Sequence, residues 1–457
     1  MTLSPLAILL LLHIPFVSAS LPDLNSTSVP TLDVSNPSSC NNTRSLWDII
    51  WSCAATLFAC TWTAIHPNIP GMDEGKFAVY SRRLGIMMMG LIAPELVITW
   101  ATVQFLSARD TAKAFNDVFG AQLHQTRSCC ADMREIGTAT SLSKIPASLF
   151  REWTVTHGFF VWMGGFMLYF NDKPRATLTP NELKRFVDEG FVEMPIIVEA
   201  DIEDRSKGDA LSKGIAILQL AWFVLQLVAR YVQNLPMTLL ELDTLAIAAL
   251  SGIAYGFWWK KPKDVGRPHV VYWKATASPP SILTYDKIGG KFSENWSDLW
   301  FTCVYPWLSL MGIEISVSPR AVHSRRVPSL GGYQGGDRHH RIILLIGCFS
   351  GAVFGGLHCL GWNVLFQGHA EQILWRAASL AIVAAPVLFI LLSYGYIIGL
   401  GYPKDLHQAI AEFTVQASFC VYIIARVTLI VLTLMGFRSL PHGVYDTVAW
   451  TKFVPHL

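Results

Sequence analysis

The sequence predicts an all-α protein: a polytopic bundle of about eight transmembrane helices behind a cleaved signal peptide. Three observations carry that expectation. Of the 457 residues, 52% are hydrophobic and only 15% charged, where a soluble domain usually carries about 25% charge. The mean hydropathy is +0.38. Apolar runs long enough to cross a hydrocarbon core about 30 Å thick recur along the chain, and basic residues gather in alternate connections. A net charge of only +2, with no long basic run, argues against disorder and against a nucleic-acid partner. The partners it implies are a lipid bilayer and a hydrophobic small molecule.

The amino-terminal run Leu6–Leu12 is too short to span, and Val17-Ser18-Ala19 closes it with small residues. Residues 1–19 therefore read as a signal peptide. Residues 20–43 are rich in Ser, Pro, Asn and Thr, with glycosylation sequons at Asn25 and Asn41; they are expected in the lumen. Spans are expected near 45–65, 84–106, 154–170, 212–232, 238–259, 342–362, 373–398 and 411–437, together a bundle over 44–437. The window at 154–170 is short and contains His157. Counting it as a span puts the cluster Lys260, Lys261, Lys263 and Arg267 in the cytosol, as the positive-inside rule prefers. The cytosolic segments are then 66–83, 171–211, the long loop 260–341, and 399–410. The segment 107–153 and the tail 438–457 face the lumen, which implies the endoplasmic reticulum or plasma membrane. Cys40, Cys129 and Cys130 then share the lumenal side, where a bridge could form.

One surface helix is specified in detail. Thr179-Pro180-Asn181-Glu182 is a capping box with Pro at the first helical position, Gly190 supplies the stop, and Leu183, Phe186 and Val187 share a face.

Ionisable residues at membrane depth are costly and usually face a cavity or one another. Glu95, following Pro94, and Arg426 are the deepest charges of opposite sign, so the simplest arrangement pairs them across the bundle. Gln219, Gln226 and Arg230, spaced seven and four apart, share one helix face, with Arg230 placed to meet Glu241 at the end of a helical hairpin. His157 and His358 are the other titratable groups within apolar runs. Glu95 and His157 are the candidate proton-transfer catalysts. Gly347, Gly351 and Gly355 form a double GxxxG pattern suited to close helix packing.

Five carboxylates crowd the stretch from Glu199 to Asp209 just before a span. Asp201, Asp204 and Asp209 there are candidate ligands for Mg²⁺, which could hold the diphosphate of a lipid-like substrate. Their intervals of three and five depart from the three and four of the aspartate motif in prenyl-transferring membrane enzymes. A salt-bridged collar with Arg205 and Lys207 is the alternative.

Several motifs together carry a resemblance: Leu46-Trp-Asp-Ile-Ile-Trp-Ser-Cys53, Phe58-Ala-Cys-Thr-Trp62, His66-Pro-Asn68, Ala93-Pro-Glu95, Met163-Gly-Gly-Phe166, Asp204-Arg-Ser-Lys-Gly-Asp209 and Trp258-Trp-Lys-Lys-Pro-Lys-Asp-Val265. Over about residues 44–436 the chain resembles an uncharacterised family of fungal multi-pass membrane proteins, a resemblance that supplies no reaction. Three functions stay open on these grounds. They are a membrane-embedded enzyme acting on an amphiphilic lipid or isoprenoid substrate in a specialised-metabolite pathway, a transporter or channel, and a ligand-binding receptor or scaffold.

Overall fold

The computed structural model describes residues 43–120, 152–206, 209–274, 278–289, 319–329, 339–364, 366, 368–398, 404–438 and 440–448. The signal peptide, the sequons at Asn25 and Asn41, and Cys40, Cys129 and Cys130 lie outside the described residues. The fold is mostly helical. Among the described residues five helices are long and apolar enough to cross a membrane: α7 (Asp209–Val232), α8 (Leu239–Phe257), α11 (His340–Cys359), α12 (His369–Ile398) and α13 (Lys404–Met435). Beside them runs α1 (Leu46–Ala64), opened by a Ser45/Asp48 capping box.

Burial sorts these helices into centre and periphery. Over half of the apolar stretch of α8 is buried, against 17% of that of α7. Leu242, Ala246, Ile247, Leu250 and Ala254 of α8 form the core with Trp375, Ile382, Ala425 and Leu429. On the outer helices the apolar side chains of Phe58, Ile217, Leu225, Val228, Phe349, Leu391 and Ile424 are exposed, an outer surface that suits hydrocarbon rather than water. The glycines of α11 do what their spacing suggests. A Cβ on Gly347 would stand 2.8 Å from Thr99 Oγ1, one on Gly351 3.1 Å from the Pro386 ring, and one on Gly355 2.8 Å from Val383.

The bundle has two distinct ends. At one, called here the tail end, Thr43 pairs with Asp446, and Arg44 reaches Glu241. At the other, a folded layer covers the helices.

The expected span over 84–106 is instead a helical hairpin. Helix α2 (Lys76–Ile92) meets α3 (Pro94–Phe115) at a bend of 116°. Pro94 has no amide to continue the ladder and disfavours the helical region for its predecessor; Ala93 accordingly sits at φ −142°, ψ 71°. Both outer ends of the hairpin reach the layer end. Arg83 of α2 bonds Asp264 at 2.8 Å, and Gln104 of α3 bonds Lys261 at 2.9 Å. Phe77, Tyr80, Leu84, Met88 and Ile92 form an exposed apolar stripe on α2, whereas α3 is buried on nearly every side.

The segment 154–170 is not a span either. It forms α4 (Val155–Trp162), eight residues long, and then strand β1 (Phe166–Phe170). Two glycines force the change: Gly164 has φ +90°, and a Cβ on Gly165 would fall 2.3 Å from Phe160 O. Asn171 and Asp172, both at positive φ, then make the tight hairpin turn into β2 (Lys173–Thr177). Strand β3 (His269–Tyr272) adds in parallel on the other side of β1, in the order β2-β1-β3. The all-α expectation is corrected to a helical bundle carrying a three-stranded sheet. Apolar residues that read as a short span instead fill the layer's own core, where Phe160, Phe166, Leu168, Leu178 and Trp153 pack together.

Helix α5 (Pro180–Asp188) begins with the predicted Thr179/Glu182 box. Its Leu183 and Phe186 are buried in that same core. The layer also holds α6 (Glu199–Asp204), α9 (Thr284–Gly289) and α10 (Pro319–His323). It contains the described parts of 107–153 too: Phe115 stacks on Trp153 at 4.0 Å, and Asn116 bonds the Trp153 backbone in both directions. That segment was expected on the side opposite 171–211; its described residues share one layer with it.

Candidate functional site

The α2–α3 hairpin places its tip among α8, α11 and α13. The last carbonyls of α2 lack intrahelical donors, and Arg426 of α13 supplies them, Nε to Ile92 O at 2.8 Å and Nη2 to Leu91 O at 2.9 Å. Its remaining arm reaches Asp243 Oδ1 of α8 at 3.0 Å, and its plane lies 4.2 Å from the Phe354 ring centre. Asp243 Oδ1 is also 3.1 Å from His358 Nε2, while His358 Nδ1 faces Phe354 O at 2.9 Å. Both imidazole nitrogens thus face acceptors, so either the ring carries two N–H groups or Asp243 carries a proton. Asp243 Oδ1 thus takes both the Arg426 guanidinium and a ring nitrogen of His358.

Glu95 occupies the second position of α3 and is 8% exposed. Among the described residues none closes a hydrogen bond to either of its carboxylate oxygens. The Tyr422 hydroxyl, one turn from Arg426 on α13, is set against it without closing a bond. The expected direct pair of Glu95 with Arg426 is thus corrected: Asp243 takes the guanidinium. Sequence reasoning ranked charges by depth within their spans and passed over Asp243, which begins α8 near the tail end. An arginine stem spans that difference.

The other intramembrane candidates are architectural. Gln219 Nε2 donates to Thr56 Oγ1 at 3.1 Å, joining α7 to α1; Gln226 lies half-buried on α7. Arg230 does not meet Glu241. It donates to the carbonyls of Asp446 (2.6 Å), Pro236 (2.7 Å) and Val444 (3.0 Å), while Arg44 holds both oxygens of Glu241 at 2.5 and 3.2 Å. Together these bonds seal the tail end.

In the layer, His157 serves as a helix cap. Its Nδ1 accepts from Thr154 N at 3.1 Å and its Nε2 faces Ile197 O at 3.0 Å. Burial depresses its pKa, which suits the neutral tautomer this geometry requires. Glu199 accepts from Thr156 and Lys260, and these partners outweigh burial to hold its carboxyl below the usual range. Asp201 and Asp204 are exposed on α6, and Asp201 caps the amide of Val198 at 3.2 Å. The Asp209 side chain lies outside the described residues. Among the described residues no three His, Cys, Asp or Glu side chains are arranged to hold a metal.

One centre escaped sequence reasoning. Lys261, counted in the sequence among the cytosolic positive charges after Trp259, is 1% exposed. Its Nζ donates to Asn68 Oδ1 and to Gln104 Oε1, each at 2.9 Å. Trp258 Nε1 shares the Gln104 oxygen at 2.8 Å, and Gln104 Nε2 donates to Ser329 O at 3.0 Å. Burial alone drives the Lys261 pKa far down. The available signal was the pairing of His66-Pro-Asn68 with Trp258-Trp-Lys-Lys, since His66 also packs on Trp258.

A sequence profile described as "Family of unknown function (DUF8562)" matches residues 11–281 and 293–457. None of the curated proteins and none of the solved structures matches the chain. With nearly its whole length covered by that profile, the chain belongs to this family of unknown function.

Proposed function

We propose that this chain is an integral multi-pass membrane protein that conducts protons through the tip of the α2–α3 hairpin. The observation that carries this reading is Glu95: a buried carboxylate, at the broken tip beside Arg426, on which no described group closes a hydrogen bond. A carboxylate in that setting calls for a proton, a cation or water, and intramembrane ionisable groups usually mark such routes. Helices broken at membrane depth are a common way to build them.

The enzyme reading, with Mg²⁺ at Asp201, Asp204 and Asp209 acting on an amphiphilic lipid or isoprenoid, draws less support. Two of those carboxylates point to solvent, and His157 is committed to a cap. A receptor or scaffold has no feature of its own in its favour. We place the layer end in the cytosol, because Arg82, Arg83, Arg205, Lys260, Lys263, Arg325 and Arg326 gather there. The tail end then faces the lumen of the secretory pathway, as a signal peptide and glycans at Asn25 and Asn41 would require.

The test is proton flux into proteoliposomes loaded with a pH-sensitive dye and driven by a potassium diffusion potential. Wild-type protein should carry flux, and Glu95→Gln should reduce it by about tenfold or more while Glu95→Asp keeps part of it. Equal flux in wild type and Glu95→Gln, or none above protein-free vesicles, would overturn the proposal.

A further inference from the structure

The layer contains a cleft of about 240 Å³ between β2, α9 and the turn after α10, remote from the hairpin tip. Arg175, Tyr285, Asp286, His323, Arg325 and Arg326 line it. Its charges are unevenly answered. Arg175 donates to Ser281 O and lies 3.5 Å from Asp286 Oδ2, an oxygen that also accepts the Leu283 amide at 3.0 Å. Arg326 pairs with Glu74 at 2.9 Å, but Glu74 already holds Arg82 through both oxygens at 2.7 and 2.8 Å. Among the described residues Arg325 pairs only with Asp73, at 3.7 Å, and Asp73 is 89% exposed. Three guanidinium groups and the His323 ring thus line the cleft against one lining carboxylate, Asp286, with Glu74 and Glu182 bonded behind the wall.

The wall of the cleft is also held in an unusual conformation. Arg325 has φ +49°, a left-handed backbone that a non-glycine residue adopts at a cost. Thr177 Oγ1 fixes it by donating to Arg325 O at 2.8 Å, and Arg326 N donates to Ala321 O at 3.0 Å. Tyr285 adds no negative charge, because burial pushes its phenol far up from its usual range.

We propose that this cleft binds a phosphate-bearing anion, either a soluble phosphate or the headgroup of an anionic lipid. Planar guanidinium forks match phosphate oxygens two at a time, and a phosphate would neutralise the surplus that Asp286 and Glu74 leave. The proposal stands apart from the proton reading, since no residue is shared.

The experiment uses full-length protein in nanodiscs of neutral lipid. One arm titrates inorganic phosphate and pyrophosphate by calorimetry; the other replaces part of the lipid with phosphatidic acid and follows thermal stability. Binding in the first arm assigns a soluble phosphate, and stabilisation confined to the second assigns a headgroup. In the responding arm Arg325→Gln and His323→Gln should each weaken the effect by about tenfold or more, while Arg376→Gln at the tail end leaves it unchanged. His323 is exposed and outside regular packing, so its variant keeps the test valid if Arg325→Gln fails to fold. No response in either arm, or responses unaffected by both variants, would overturn the proposal.

Discussion

Lys261 makes stability depend on pH in a direction opposite to that of most lysines, and Lys261→Met isolates the effect. The native amine is sealed among Asn68, Gln104 and Trp258 with no carboxylate on it, and burial lowers its pKa well below the ordinary value. The unfolded chain therefore binds a proton that the native chain does not, at every pH between the native pKa and about 10.4. Within that window wild-type stability rises with pH by about 1.4 kcal/mol per unit, a factor of ten in the unfolding constant. Methionine has no such linkage. Above pH 10.4 the wild type keeps two hydrogen bonds worth about 1 kcal/mol each that the variant lacks. The two proteins should then be equally stable roughly 1.5 units lower, near pH 9. Below that crossing the variant should be the more stable. Unfolding in mixed micelles of rising denaturing-detergent fraction, at steps from pH 7 to pH 10.5, measures the difference directly, since groups common to both proteins cancel. A difference that stays flat across this range would mean that Lys261 is charged in the folded protein, and the reasoning would fail.

Two further substitutions probe the packing that positions the hairpin. Asp243→Ala leaves Arg426 buried beside carbonyls alone and should cost about 3–5 kcal/mol; adding Arg426→Met should cost less than the sum of the two single changes, and strict additivity would show that the pair is not coupled. Gly158→Ala puts a Cβ 2.0 Å from Ala108 O, backbone against backbone where α4 crosses α3. That should cost about 3 kcal/mol or more, whereas Gly214→Ala on the open face of α7 should be neutral or slightly stabilising; equal effects in the same unfolding assay would refute the crossing.

What the sequence disclosed followed the range of its physics. Apolar windows at 212–232, 238–259, 342–362, 373–398 and 411–437 correspond to α7, α8, α11, α12 and α13, because a long run without charge has few other homes. The Thr179–Glu182 box was legible because a cap is a contact three residues long. Windows 84–106 and 154–170 misled for opposite reasons. The first is apolar enough, but Ala93-Pro94 reverses the chain inside it; the second is apolar because it fills the core of a layer that also draws on β3, about a hundred residues away. That layer was invisible for the same reason: β1 and β3 pair across the intervening α7–α8 hairpin. Lys261 was misread because charge counting treats a lysine beside two tryptophans as a collar, and only the fold brings Asn68 and Gln104 to it.

The hairpin tip also explains why Glu95 and Arg426 can be neighbours without being partners. Where α2 ends and α3 begins, the negative end of one helix dipole meets the positive end of the next. Arg426 answers the first directly, through the carbonyls of Leu91 and Ile92. Glu95, at the second position of α3, lies where a carboxylate complements the second. Each charge is thus matched to a helix end, and Asp243 supplies the guanidinium with its counter-ion. The bonds of Arg426 to Leu91 O, Ile92 O and Asp243 do not involve the Glu95 carboxylate. Arg426 and Asp243 can hold the tip in place while Glu95 gains or loses a proton, which is the division of labour that a conducting site requires. On this argument Glu95→Gln should remove flux and leave the fold standing, whereas loss of Asp243 should loosen the tip itself.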